Sequence, residues 1–128
     1  MRAKTGNQHM RNAVTILFIL AFVNLADAQT QRRPCGPDSL KGPARLLIPQ
    51  RGGGADFRPT CEAHDNCYGT LGSDRDQCDL NWKSDMLSAC QSANRKCACR
   101  RRAKFMHRVV SKHGQDAFDT AQSKAKGF

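Results

Sequence analysis

The chain has 128 residues, enough for one compact domain, and this length excludes two domains of ordinary size. Lysine and arginine together number 21 against 11 acids, so the formal net charge is +10. Seven cysteines are present, and this odd number excludes complete disulfide pairing within a single chain.

The first 28 residues have the layout of a secretory signal. Arg2, Lys4 and Arg11 make the beginning basic, residues 13–25 are nearly all apolar, and Ala26-Asp27-Ala28 offers small residues to a signal peptidase. The apolar run of about a dozen residues is short for a bilayer span, although an uncleaved anchor is the alternative. We predict a signal peptide over residues 1–28 and a mature domain over residues 29–128.

The predicted mature domain is small, basic and rich in cysteine. Removal of the leader takes away three basic residues and one acid, which lowers the net charge from +10 to +8. All seven cysteines lie after the leader, and an exported domain of this size commonly depends on disulfides for stability. We therefore expect a secreted, disulfide-bonded protein with one thiol left free or paired between chains.

The first part of the mature domain is predicted to be a loop. Residues 35–59 are rich in glycine and proline, a composition that favours irregular backbone over helix or strand. The run Gly52-Gly53-Gly54 has two interpretations. It can bring the backbone close to a ligand, or it can be a flexible surface loop.

Three helices are predicted after this loop. The first begins near Pro59 and ends at the turn 69–73, and its spacing places four residues on one face: Cys61, His64, Cys67 and Tyr68. The second is capped by Asp74 or Asp76 and runs to about Gln91. The third is basic and runs from about Cys97 to Lys112 or beyond. With no strand-like alternation, the fold class is all-α: an antiparallel helix pair, a Gly/Pro-rich N-terminal loop and a third basic helix.

The segment 61–69, with the sequence CEAHDNCYG, carries the predicted chemistry. His64 and Asp65 are neighbours, so on a helix their side chains diverge by about 100°. One side chain can then face a partner helix while the other faces a loop. This arrangement suits a histidine that acts as a base and an aspartate that holds a cation. The segment resembles the active-site helix of secreted phospholipases A2, whose pattern is Cys-x-x-His-Asp-x-Cys-Tyr.

The resemblance extends over roughly residues 35–99 and is greatest to the short prokaryotic type. It implies that His64 is the general base that activates a water, that Asp85 orients this histidine, and that Tyr68 hydrogen-bonds the pair. Asp65 corresponds to a carboxylate ligand of Ca²⁺, and the remaining calcium ligands belong to the preceding loop. We assign Gly36 and Asp38 as candidates there. Asp79 is the competing carboxylate, and we expect it to cap a helix or face solvent.

The activity that the resemblance implies is calcium-dependent hydrolysis of the sn-2 acyl ester of glycerophospholipids. The partner would be a phospholipid aggregate or membrane surface, which is expected to be anionic because the third helix is densely basic. We expect a monomer. The chain departs from the vertebrate pattern in two ways: Thr60 precedes Cys61 in place of a tandem cysteine, and the usual Tyr-Gly-Cys-x-Cys-Gly calcium loop is missing.

Two other functions remain open at this point. A non-catalytic basic module on the same scaffold could bind membranes or a receptor. A zinc-binding or nucleic-acid-binding domain could use Cys61, His64, Cys97 and Cys99, but the leader argues against free thiolates and against a nucleic-acid partner. The cysteine positions predict bridges Cys35–Cys61 and Cys67–Cys78, and leave Cys90 to pair with Cys97 or Cys99.

Overall fold

The computed structural model describes residues 33–37, 40 and 42–127, which belong to one compact unit. The predicted leader lies outside the described residues. The elements, in chain order, are α1 (Pro43–Leu46), β1 (Arg51–Gly52), β2 (Ala55–Asp56), α2 (Arg58–Gly69), α3 (Arg75–Ala89), a 3-10 turn (Cys90–Ser92), α4 (Lys96–His113) and α5 (Gln115–Ala125). The described part is therefore mostly helical, as predicted.

A small β-hairpin, which the sequence pattern did not predict, precedes α2. β1 and β2 are antiparallel and only two residues long, with Arg51 opposite Asp56. The connecting Gly53 and Gly54 have φ values of 58° and 101°, the left-handed backbone of a tight two-residue hairpin turn.

The glycine run in this hairpin serves close packing. A Cβ on Gly53 would lie 2.4 Å from the carbonyl oxygen of Arg95, and the Gly53 carbonyl accepts a hydrogen bond from the Arg95 amide at 2.9 Å. The hairpin is thus pressed against the start of α4. The described contacts explain the glycines by local packing, which neither of the two sequence interpretations had proposed.

Helices α2 and α3 are joined by a short turn and begin as the sequence chemistry suggests. Arg58 and Pro59 open α2 directly after the N-cap Phe57. Asp74 caps α3, because its side chain accepts from the Gln77 amide at 2.7 Å.

Three disulfides hold these elements together. Cys35–Cys61 joins the N-terminal loop to α2, and Cys67–Cys78 joins α2 to α3, as predicted. The open alternative for Cys90 is resolved by a Cys90–Cys99 bridge, which leaves Cys97 exposed as a free thiol. Cys61 and Cys99 are therefore not available as thiolates, so the zinc interpretation was wrong.

The core lies where α3 and α4 meet the residues just before α2. Phe57, Met86 and Ala103 are completely buried there, and the Cys90–Cys99 disulfide packs among them. No described helix is long and apolar enough to cross a membrane.

The last helix returns to the turn that follows α2. Gln122 donates to the carbonyls of Tyr68 and Thr70 at 2.7 and 2.8 Å, and its side-chain oxygen accepts from the Gly72 amide at 2.9 Å. Phe118 adds an edge-to-face contact with the Tyr68 ring at 5.1 Å. The result is that α5 fixes the position of Tyr68.

Candidate functional site

The centre of the site is a buried histidine bonded to a buried carboxylate. His64, on α2, is 8% exposed, and its Nε2 lies 2.8 Å from Oδ1 of Asp79 on α3, which is 1% exposed. A carboxylate only accepts hydrogen bonds, so Nε2 carries the proton. The neutral ring then has its lone pair on Nδ1, which has no partner among the residues that the structure describes.

The acidic partner of His64 differs from the one that the sequence predicted. Asp85 was expected in this position, but it is exposed on α3, and Asp79 makes the contact. The reason is the register of the two helices. The Cys67–Cys78 bridge places the start of α3 beside the end of α2, and Asp85 lies about 1.7 turns further along α3 than the bonded carboxylate.

Tyr68 bonds the same carboxylate oxygen. Its phenol donates to Asp79 Oδ1 at 2.6 Å. Burial, together with this bond, raises the pKa of Tyr68 well above its ordinary range, so the phenol remains a donor at any physiological pH. The structure thus brings Tyr68, His64 and Asp79 together in one network.

The imidazole is also held by ring contacts on two sides. Trp82 stacks on it with ring centroids 4.7 Å apart, and Tyr68 lies tilted against it at 4.2 Å. Sequence reasoning assigned Trp82 no part in the site. The available signal was its spacing of three residues from Asp79, which puts both side chains on one face of α3.

Burial lowers the pKa of His64, and the hydrogen bond and charge of Asp79 oppose this change. The net direction is downward, so the imidazole is mostly neutral at physiological pH. A neutral imidazole with an unbonded Nδ1 can accept a proton, which is what a general base requires.

A cleft of about 180 Å³ opens beside this histidine. His64, Tyr68 and Trp82 form part of its wall, and Val109 and Val110 of α4 supply apolar surface. Asp65 and Gly36 also line the cleft, so the predicted cation ligand and the predicted loop residue meet at the same opening. A mostly apolar cavity with a few convergent polar groups is the usual form of a small-molecule site.

The candidate calcium ligands fit this opening in part. Asp65 and Gly36 line both the cleft and an adjoining wider cavity of about 760 Å³, so the candidate acid and the candidate loop residue border a common space. Hard oxygen donors of this kind suit Ca²⁺, which also accepts water ligands. Asp38 lies outside the described residues. Among the residues described, no group of three or more acidic, histidine or cysteine side chains is gathered for a metal.

Arg45 fixes the loop that would supply the carbonyls. Its guanidinium donates to the carbonyls of Arg33 and Pro37, each at 3.0 Å, and to that of Leu40 at 3.4 Å. A side-chain cation therefore satisfies much of the loop backbone. Gly36 is the candidate that stays with Asp65 at the cleft.

Comparison with known proteins adds no relative. No protein-family model, no curated protein and no solved structure matches this chain. The motif in residues 61–69 and the geometry around His64 and Asp79 are therefore the features that indicate a function.

Proposed function

We propose that the protein is a secreted phospholipase A2 that hydrolyses the sn-2 acyl ester of glycerophospholipids with the help of Ca²⁺. The observation that carries the proposal is the buried His64–Asp79 pair, which opens onto the cleft that Asp65 also lines. The three disulfides and the predicted leader are consistent with export.

The proton chemistry follows from this pair. His64 Nδ1 accepts a proton from a water molecule as the water attacks the ester carbonyl. Asp79 stabilises the resulting imidazolium and keeps Nε2 protonated, as the acid does in hydrolase triads. Tyr68 holds the carboxylate in place through its phenol, and Trp82 restricts rotation of the imidazole.

The cation would be held by the carboxylate of Asp65 and the carbonyl of Gly36, with water completing the shell. When bound, Ca²⁺ supplies positive charge for the oxyanion that develops on the ester. Asp65 follows His64 directly, so the base and the cation ligand are fixed by a single turn of α2.

The lipid character of the substrate is supported by the apolar surface around the cleft. Val109 lines the cleft and is 42% exposed, and Phe105, one turn earlier on α4, is 60% exposed. Exposed apolar side chains beside a cavity favour contact with an acyl chain or a lipid surface. The excess of basic residues favours anionic aggregates.

The test is fatty-acid release from phospholipid vesicles by the mature protein. We expect release that requires Ca²⁺, that stops with EDTA, and that is lost in His64→Ala. Asp85→Asn is the control, since this exposed carboxylate shares α3 with Asp79. Full activity of His64→Ala would contradict the mechanism.

A non-catalytic, membrane-perturbing module is the second candidate. One observation in its favour is that the Arg45 guanidinium already donates hydrogen bonds to loop carbonyls that a calcium ion could otherwise use. Another is that, among the described residues, Asp65 belongs to no group of three or more side chains that could hold a metal. This candidate predicts vesicle leakage that survives both EDTA and His64→Ala. The two functions are separated when leakage and fatty-acid release are measured on the same vesicles.

A further inference from the structure

A second cleft lies between α3 and α4 and is lined entirely by basic and hydroxyl side chains. Its volume is about 600 Å³, and its lining consists of Lys83, Lys104, His107, Arg108, Ser111 and Lys112. We refer to it as the basic cleft. No carboxylate contributes to its lining.

None of the four permanent cations of the basic cleft forms an ion pair within the described part of the chain. Other cations do have one, since Arg58 pairs with Asp56 and Arg75 pairs with Asp76. Lys83, Lys104, Arg108 and Lys112 form no such pair with any described acid. Four like charges gathered around one concavity produce a focused positive potential, which attracts a polyanion.

The basic cleft is separate from the cleft beside His64. On α4, residues 104, 107, 108 and 111 follow the spacing of three and four that defines one helix face. Val109, Val110 and His113, which line the other cleft, lie on a different side of this helix. An anion in the basic cleft would therefore not occupy the proposed hydrolytic site.

The basic cleft also contains two uncharged polar groups that are capable of hydrogen-bonding an anion. Ser111 Oγ lies 3.2 Å from His107 Nε2, so a hydroxyl and an imidazole are held together among the cations. Burial lowers the pKa of His107, and the charge of Lys83 lowers it further, while Asp79 opposes both effects. A bound anion would offset the repulsion from Lys83 and favour the charged imidazole.

We propose that the basic cleft binds a ligand with two or more clustered phosphate groups. Arginine can hold a phosphate through two parallel hydrogen bonds, and lysines add point charges around it. The size of the cleft and its four cations suit several phosphates better than one. The same chemistry is offered by a free polyphosphate and by a phosphorylated lipid headgroup, and the experiment distinguishes these sources.

The soluble source is tested by calorimetric titration of the mature protein with tripolyphosphate. Removal of charge in Lys104→Gln or Arg108→Gln is expected to weaken binding about tenfold each, because each loses a charge-assisted contact. Lys126→Gln is the matched control, since it removes one exposed charge at the end of α5, away from the cleft. His64→Ala is expected to bind normally, so failure of the hydrolase proposal and failure of this one are distinguishable.

The lipid source is tested by co-sedimentation with phosphatidylcholine vesicles that contain either phosphatidylinositol bisphosphate or phosphatidylserine at equal total charge. Preference for the bisphosphate that is lost in Arg108→Gln and kept in Lys126→Gln supports a headgroup ligand. Tripolyphosphate binding with the same variant pattern, and no such preference, supports a free ligand. Equal behaviour of the cleft variants and the control in both arms overturns the proposal.

Discussion

The Tyr68 phenol oxygen lies 2.6 Å from Asp79 Oδ1, and the same carboxylate oxygen is 2.8 Å from His64 Nε2. One oxygen therefore accepts two hydrogen bonds, while Asp79 Oδ2 is buried with no partner among the described residues. Two donors on one oxygen define the direction of the carboxylate. The side-chain amide of an asparagine at position 79 could still accept both hydrogen bonds, but it would carry no negative charge to stabilise a protonated His64.

Asp79→Asn is therefore expected to fold and to lose activity. The loss should be at least about a hundredfold in kcat, since the acid in comparable hydrolase networks stabilises the charged base. The measurement is fatty-acid release at saturating vesicle concentration, together with a thermal unfolding profile. Asp85→Asn should remain within about twofold of wild type, because that residue is exposed and outside the network. The reverse pattern would show that Asp85, and not Asp79, supports the histidine.

The acidic partner could have been identified from the sequence with one more step. The predicted bridge Cys67–Cys78 sets the register of the hairpin. With Cys67 opposite Cys78 in an antiparallel pair, His64 lies opposite about residue 81, and Asp85 lies opposite about residue 60. Asp79 falls between the levels of Tyr68 and His64, so it can reach both. Helical spacing alone did not distinguish the two carboxylates.

Other parts of the site depend on contacts that no local pattern contains. Gln122 reaches Tyr68 across 54 residues of sequence, and nothing about an isolated glutamine on a weakly amphipathic segment indicates this. Helices α2 and α3 were predictable because Pro59 and Asp74 mark their beginnings and their buried residues recur at helical spacing. The basic cleft could not be predicted from the sequence, because it forms only where α3 packs against α4 and brings Lys83 beside the basic residues of α4.

The pH dependence of folding should report the buried imidazole. The pKa of His64 in the folded protein is below its ordinary value of 6.5, so the unfolded chain binds the proton more readily. The free energy of unfolding should therefore be independent of this group above about pH 7. It should fall as the pH drops from 6.5 toward the lowered folded pKa.

The measurement is urea unfolding between pH 4.5 and pH 8 for wild type and His64→Gln. The variant is expected to lose part of the slope below pH 6.5, and His107 accounts for a further part because its folded pKa is also lowered. His113→Gln, which removes an exposed imidazole, is the control. An unchanged slope in His64→Gln would show that this histidine does not titrate differently in the two states.

Gly114, between α4 and α5, is expected to tolerate no side chain. A Cβ there would lie 2.6 Å from the Val110 carbonyl oxygen and 3.0 Å from the Tyr68 phenol oxygen. Gly114→Ala should destabilise the protein by about 1–3 kcal/mol through this overpacking. It should also lower activity, because the Tyr68 phenol must move.

Gly69→Ala is the matched glycine variant for this measurement. Gly69 ends α2, and a Cβ there meets no atom within 4 Å, so the change should be neutral or stabilising by up to about 1 kcal/mol. Both variants are compared by urea unfolding and by fatty-acid release. Equal stability of the two variants would mean that the chain relaxes around Gly114 without cost.

Substitutions of Trp82 distinguish the contribution of ring packing to stability from the contribution of hydrogen bonding next to His64. Its Nε1 is buried with no partner among the described residues, while its ring stacks on the imidazole. Trp82→Phe keeps an aromatic ring, but the smaller ring loses packing contacts, which lowers stability. It also removes the unpartnered indole N–H, which raises stability. Because these two effects oppose each other, the free energy of unfolding should change by less than about 1.5 kcal/mol. Trp82→Ala removes the ring as well and should cost about 3–5 kcal/mol. If Trp82→Phe costs nearly as much as Trp82→Ala in urea unfolding, the indole N–H contributes to stability and the expectation is wrong.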